Sequence, residues 1–338
     1  MSIPHDHPER NRFGRVGRVP TPTPFAGLGD INTYQLLPGS EGDGLTLIDT
    51  GVKSPESLEA FERGLKEFGF AIEQIERILI THAHVDHFGQ ARRIRDRCGA
   101  PVYAAPLEAR RMAGLVPPSG DRRDHVVAYL RRWGIPDELI FYENPLAARA
   151  ATLHDPVEVD GTLSDGDVVA VDDLRLHAIE TPGHCPQHLV FYEPRLRWLF
   201  SGDHLLTDIS PVPLLDLPED PAVPRPKSLV RFMDSLAKVE RLECRLTFPS
   251  HGDVIYDHRE LIAGYRLHHE RRKLQIEKKL RAGPRTPFEL AVDMFPKYYE
   301  TQIYLVMSEV IGHLDLLEEE GGVVVEEDGR VERARLTS

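Results

Sequence analysis

Short apolar runs closed by Gly, Pro or Asp alternate with stretches of helical periodicity along most of this chain. Residues 16–19, 32–37, 45–48, 78–80 and 101–105 read as strands. Ser54-Pro55-Glu56 opens a helix that runs to about Phe68: Ser is the N-cap, Pro takes the first helical position and an acid follows. Strand, helix, strand, helix is the order of an α/β protein. The Pro-rich residues 20–25 cannot be a central strand. They form a loop with Phe25 at its tip, either over a site or as a plain connection.

Residues 107–155 lose the strand alternation and read as a helical insertion, with helices near 107–113 and 121–133. His125, Tyr129 and Trp133 recur there at helical spacing, so they pack on the core or line a pocket. Strands resume at 168–171 and 174–180, then at 189–192 and 198–200 as a hairpin, and at 246–248. Residues 257–281 form one long helix whose His268, His269, Arg271, Arg272 and Lys273 read as a solvated face. Thr286-Pro287-Phe288-Glu289 restarts a helix in capping-box order. A helix over 298–319 and a hairpin through Asp328-Gly329 end the chain, a helix-then-wing arrangement.

Candidate chemistry sits where strands stop. Ile78-Leu79-Ile80 runs into Thr81-His82-Ala83-His84-Val85-Asp86-His87, three histidines and an aspartate within six residues. His82 and His84, two apart, point the same way in extended backbone. Asp86 and His87 follow the turn and reach a second point nearby, a geometry for two adjacent metal ions. The same device recurs at Thr181-Pro182-Gly183-His184, at Ser201-Gly202-Asp203-His204 and at Pro249-Ser250-His251. His188 reads as structural. Asp49, after Leu47-Ile48, either caps its own turn or holds a ligand histidine from behind.

Charge and cysteine content narrow the partners. The 338 residues carry a net charge of −13, which argues against a general nucleic-acid or anionic-membrane surface. From Pro284 to the end, 5 Lys+Arg face 12 Asp+Glu, a balance of −7, so the wing is a packing or dimerisation element rather than a phosphate reader. Three scattered cysteines, Cys98, Cys185 and Cys244, favour a reducing, cytoplasmic setting. No secretory signal and no membrane-length apolar run is evident. His5 and His7 belong to a disordered leader rather than a metal site.

His82-x-His84-x-Asp86-His87, His184, Asp203 and His251, with Leu47-Ile48-Asp49-Thr50-Gly51 and Thr181-Pro182-Gly183-His184, resemble the metallo-β-lactamase fold superfamily over residues 13–256. The tail is similar to the winged-helix extension of some members. The resemblance implies an αβ/βα four-layer sandwich of two mixed sheets with outer helices, plus a small α+β C-terminal element. The organisation expected is a catalytic domain over 1–256, holding the 107–155 insertion, and a winged-helix-like region over 257–338.

By the same resemblance, one metal takes His82, His84 and His184, a second takes Asp86, His87 and His251, and Asp203 bridges both. Zinc suits this set, and iron or manganese also fit. The expected reaction is attack of a metal-activated hydroxide on an ester, thioester or lactone carbonyl of a small acyl substrate, with Asp86 or Asp203 passing a proton. Three other readings compete: a phosphodiesterase or ribonuclease on the same site, a mononuclear-iron sulfur dioxygenase, and a non-enzymatic binding protein. Aspartate and histidine, rather than cysteine, at the second metal point away from antibiotic hydrolysis. Some lactonases of the superfamily carry a tyrosine three positions past the bridging aspartate; here that place is Leu206.

Overall fold

In this computed structural model the described residues are 11–25, 27–39, 44–115, 120–140, 149–218 and 222–337. His5, His7 and part of the insertion lie outside them.

The strands form two mixed sheets. The first runs in order β1 (Arg12–Phe13), β2 (Val16–Thr21), β3 (Ile31–Leu36), β4 (Leu45–Ile48), β5 (Ile75–Leu79), β6 (Val102–Ala104) and β7 (Gly161–Thr162). Its first four strands pair antiparallel, and β4 to β7 pair parallel. The second sheet holds β8 (Val168–Val171), β9 (Leu174–Glu180), β10 (Leu189–Glu193), β11 (Trp198–Gly202) and β12 (Leu246–Pro249), with only β11 and β12 parallel.

Two-residue periodicity divides the side chains between layers. Ile48 and Leu79 of the first sheet meet Leu176, Phe191, Phe200 and Phe248 of the second in a core between the sheets. Leu45, Leu47 and Ile78 point the other way, onto Phe61 and Leu65 of helix α1 (Pro55–Glu67). After the short α2 (Val85–Phe88), Ala91 and Ile94 of α3 (Ala91–Cys98) join the same layer. The connection between β6 and β7 contributes α4 (Pro106–Met112), α5 (Gly120–Arg132) and α6 (Asp137–Ile140). On the outer face of the second sheet, Val190 and Leu199 pack on Phe232 and Leu236 of α7 (Ser228–Glu240) and on Ile262 of α8 (His258–Leu280). The result is the expected αβ/βα sandwich.

The C-terminal stretch adds α9 (Pro287–Met294), α10 (Ile303–Glu319) and the hairpin β13 (Val323–Asp328) with β14 (Val331–Leu336). Thr286 and Glu289 close the predicted capping box. Trp133 and Ile135 of the β6–β7 connection and Leu215 share one core with Leu290, Val310 and Leu314. The aromatic stripe therefore packs, and its far edge also borders a cavity of about 310 Å³ against Arg225 and Asp315.

Two expectations are corrected. The last long helix begins at Ile303 rather than residue 298, because residues 295–302 close a set of turns onto Phe295 and Tyr298. The basic patch of α8 is not a solvated face throughout. His269 and Lys273 are buried in a stripe with His258, Ile262, Tyr265, Ile276 and Leu280, which repeats every three or four residues. Lys273 buries its stem and brings its ammonium to Glu270 and Glu320.

Candidate metal centre

Every candidate ligand leaves the C-terminal end of a strand. After β5 the chain passes Thr81 and presents His82, His84, Asp86 and His87. His184 follows β9, Asp203 follows β11, and His251 follows β12. β9 and β11 both run antiparallel to β10, and β12 runs parallel to β11, so these ends meet at one edge. All seven predicted residues converge there, in two groups: His82, His84, His184 and Asp203, and then Asp86, His87 and His251.

Distances show how the groups interlock. His84 Nδ1 lies 2.8 Å from His82 Nε2 and 3.0 Å from His184 Nε2. Three ring nitrogens in one small space cannot all be satisfied by protons shared between them. Asp203 faces both groups: its Oδ2 is 3.3 Å from His184 Nε2, and its Oδ1 is 3.4 Å from His87 Nε2. Asp86 Oδ2 stands 3.4 Å from His251 Nε2. The Nε2 atoms of His87 and His251 are buried without a hydrogen-bond partner. Such orphaned lone pairs, aimed at carboxylates, fit a divalent cation.

The far side of each ring fixes which nitrogen is free. His87 Nδ1–H donates to Asp49 Oδ2 at 2.8 Å, and His184 Nδ1–H to the Val212 carbonyl at 2.9 Å. His251 Nδ1–H donates to the Asp30 carbonyl at 2.9 Å, and His82 Nδ1–H to the Thr81 hydroxyl at 3.0 Å. Each bond turns the ring so that Nε2 faces the centre. Asp49 therefore acts from behind a histidine rather than as a turn cap. It adopts φ +57° and accepts both the backbone N–H and the hydroxyl of Thr81 at 2.8 Å.

Asp203 has its own supports. Its N–H donates to His188 Nε2 at 3.1 Å, and the Ser250 hydroxyl donates to its Oδ1. His188 is thus structural, as its position implied. Gly202, at φ +51°, lets β11 turn there, since a Cβ would lie 2.6 Å from His188 Nε2.

The electrostatics follow from burial. Burial first, and crowding by His87 and His84 second, hold His82 well below its usual pKa, and burial with His184 takes His84 down to about 3. His87 goes the other way: burial would lower it, but Asp203, Asp49 and Asp86 raise it well above normal. Burial opposes ionisation of Asp203 too, yet His87 and His251 overcome it and hold its pKa well down. The carboxylates favour a proton on His87 and, in the same way, on His251; a divalent ion would displace those protons and then meet neutral donors and anionic carboxylates.

Several supports carried little sequence signal. Thr81 and Ser250 at least adjoin ligand motifs. Glu108, buried in α4, accepts the Ala83 N–H at 3.2 Å, and nothing in its local sequence suggested it. A cavity of about 390 Å³ beside His251 is lined by Pro20, Leu28, Asp30 and Ile209. Pro20 and Thr21 pair with β3 as the end of β2, so the loop expected over residues 20–25 begins only after Thr21.

The model of the metallo-beta-lactamase superfamily matches residues 26–251. The chain belongs to the metallo-β-lactamase superfamily. It is similar to the probable metallo-hydrolase YqjP of Bacillus subtilis (strain 168), at 29% identity over 90% of this chain and 92% of that protein. It is also similar to the atrochrysone carboxyl ACP thioesterase dmxR1 of Cryptosporiopsis sp. (strain 8999), at 24% identity over 75% of this chain and 58% of that protein. Among solved structures it superposes on the metallo-beta-lactamase family protein TTHA1429 of Thermus thermophilus. That match has a TM-score of 0.80 and 27% identity, over 96% of this chain and 99% of the other. Membership makes the chain a metal-dependent hydrolase. No helix among the described residues is long and apolar enough to cross a membrane.

Proposed function

We propose that this superfamily member hydrolyses an ester, thioester or lactone at a two-metal centre. His82, His84 and His184 would hold one divalent ion, most simply zinc, and Asp86, His87 and His251 a second. The observation carrying this reading is Asp203, whose two oxygens face different trios, so that one side chain would serve both positions. Two ions bound there supply a water acidified toward neutrality and a Lewis acid for a carbonyl oxygen.

The chain's own groups do the rest. Asp203 and Asp86 stay ionised in the buried centre; with Asp203 committed to both positions, Asp86 is the carboxylate that accepts a proton and returns it to the leaving oxygen or sulfur. Asp86 Oδ2 lies within 3.8 Å of both His87 and His251 Nε2, near the reacting position. Pro20, Leu28 and Ile209 give the adjoining cavity, otherwise lined by polar groups such as Arg18 and Asp208, an apolar side against which an acyl group would lie. A complete second trio favours hydrolysis over one-iron oxidation, and the acidic surface favours small substrates over nucleic acid. The thioesterase relative supports an acyl substrate.

Metal analysis with a substrate panel tests the reading. Zinc-loaded protein should turn over p-nitrophenyl esters, acyl-CoA thioesters or lactones, and Asp203→Ala should lose at least about 100-fold in rate, on the scale of other charge-stabilising deletions. Turnover of bis-p-nitrophenyl phosphate alone, or full activity in Asp203→Ala, would overturn it.

A further inference from the structure

Glu108 lies far in sequence from every candidate ligand, in the first helix of the insertion, and is only 1% exposed. Its carboxylate nonetheless touches both loops that deliver the first trio. Oε2 accepts the N–H of Ala83, the residue between His82 and His84, at 3.2 Å. Oε1 accepts the N–H of Gln187, three residues past His184, at 3.4 Å. The Gln187 side chain returns the contact, accepting the Leu107 N–H at 2.6 Å. The start of α4 is thus stitched to two loops that otherwise belong to different sheets.

A buried carboxylate needs a charge partner. Arg111, one turn along α4, supplies it, with Nη1 3.5 Å from Glu108 Oε1. Its other arm, Nη2, donates to Asp216 Oδ1 at 2.8 Å. Asp216 ends the stretch 205–216, which passes the centre and carries the Val212 carbonyl that receives His184 Nδ1–H. Helix α10 pins the same end: Tyr304 donates its hydroxyl to the Leu215 carbonyl, and the Leu215 N–H donates to Ser308 Oγ at 3.1 Å.

The relay Glu108–Arg111–Asp216 therefore reaches the His82/His84 loop, the His184 loop and the carbonyl that orients His184. The second trio is set differently, by Asp49 behind His87 and the Asp30 carbonyl behind His251. None of the contacts described for Glu108 reaches Asp86, His87 or His251.

We infer that Glu108 is a positioning residue for the His82–His84–His184 trio alone, and that the insertion sets the affinity of that one metal position through Arg111 and Asp216. The inference rests on the two-metal reading above. A carboxylate behind a ligand loop acts as an outer partner of the metal, and losing such a partner typically weakens binding by about 10- to 100-fold.

The test compares wild type with Glu108→Gln, Glu108→Leu and Arg111→Met, titrating each with cobalt(II) in competition with a chelator. Visible absorption reads the coordination geometry of each equivalent, and thermal unfolding of the metal-free proteins is followed alongside. Wild type should take up two equivalents. In Glu108→Gln one equivalent should keep its affinity and spectrum, while the other weakens by about 10- to 100-fold and its absorption bands shift. Glu108→Leu should lose more, because Gln retains an oxygen for the Ala83 N–H. Should the leucine variant fail to fold, Arg111→Met interrupts the same relay without touching either ligand loop. Two unchanged equivalents in Glu108→Gln and Arg111→Met, with only a lower Tm, would make Glu108 merely structural and overturn the inference. Equal weakening of both equivalents would overturn it as well. A wild type that never takes up a second equivalent removes the two-metal reading, and the inference with it.

Discussion

Asp49→Asn isolates the role of a single carboxylate. The substitution preserves size, and asparagine tolerates the left-handed φ of +57° that this position adopts, so the backbone need not move. Asn Oδ1 can still receive the Thr81 N–H now accepted at 2.8 Å. The second oxygen becomes an NH₂ group facing the Thr81 hydroxyl and His87 Nδ1–H, each now 2.8 Å away. The hydroxyl can turn to accept from it, but His87 Nδ1–H can only donate. Donor meets donor, and His87 escapes by moving its proton to Nε2, the nitrogen aimed into the Asp86–His251 trio. An imidazole in that tautomer has no lone pair to give a metal. Loss of an outer carboxylate partner costs about 10- to 100-fold in metal affinity, roughly 1.4–2.7 kcal/mol at ~1.36 kcal/mol per decade. Elemental analysis after dialysis, with chelator-competition titrations, should show one ion retained and the second weakened by that factor, and turnover reduced accordingly. Two ions bound with unchanged affinity in a folded Asp49→Asn protein would refute the tautomer argument.

Two other outcomes follow from neighbouring features. Gly202→Ala forces a Cβ toward His188 Nε2, which receives the Asp203 N–H, so zinc content and turnover should fall together while far-UV circular dichroism is retained; normal zinc content would contradict this. His269, held down at about 3 by burial first and by His313 second, is neutral in the folded chain and titrates near 6.5 when unfolded. Its stabilising contribution is complete above about pH 6.5 and drains away as pH falls from there toward 3, with a slope of up to about 1.4 kcal/mol per pH unit. Thermal melts between pH 7.5 and 5 should therefore steepen in wild type and flatten in His269→Gln, and identical slopes would rule this group out.

The sequence exposed those parts of the centre whose chemistry is local. Each candidate ligand follows an apolar run with small or Pro residues between, so strand ends could be counted from the chain; the choice of these seven, Asp203 over His204 and His251 over Asp253, came from the family resemblance. The role of Asp49 stayed open, because a turn cap and a histidine partner leave the same residue after the same strand. Only the 38-residue separation bridged by its bond to His87 decides between them. Glu108 was invisible, since its partners are backbone N–H groups, which nearly every residue carries. The inward stripe of α8 was masked by its basic residues: His269 and Lys273 look solvated until His313 and Glu320 are placed against them.

The grip on the loop beyond Asp203 limits how this molecule can be rearranged. Tyr265 of α8 bonds both the N–H and the carbonyl of Leu206, while Tyr304 and Ser308 of α10 take hold of Leu215. A graft that exchanged everything after residue 256 for another protein's ending would strip three anchors from a segment it never touched. The recombinable unit is therefore not a contiguous stretch of gene. Helices from the end of the chain and a loop from its middle would have to travel, and change, as a pair.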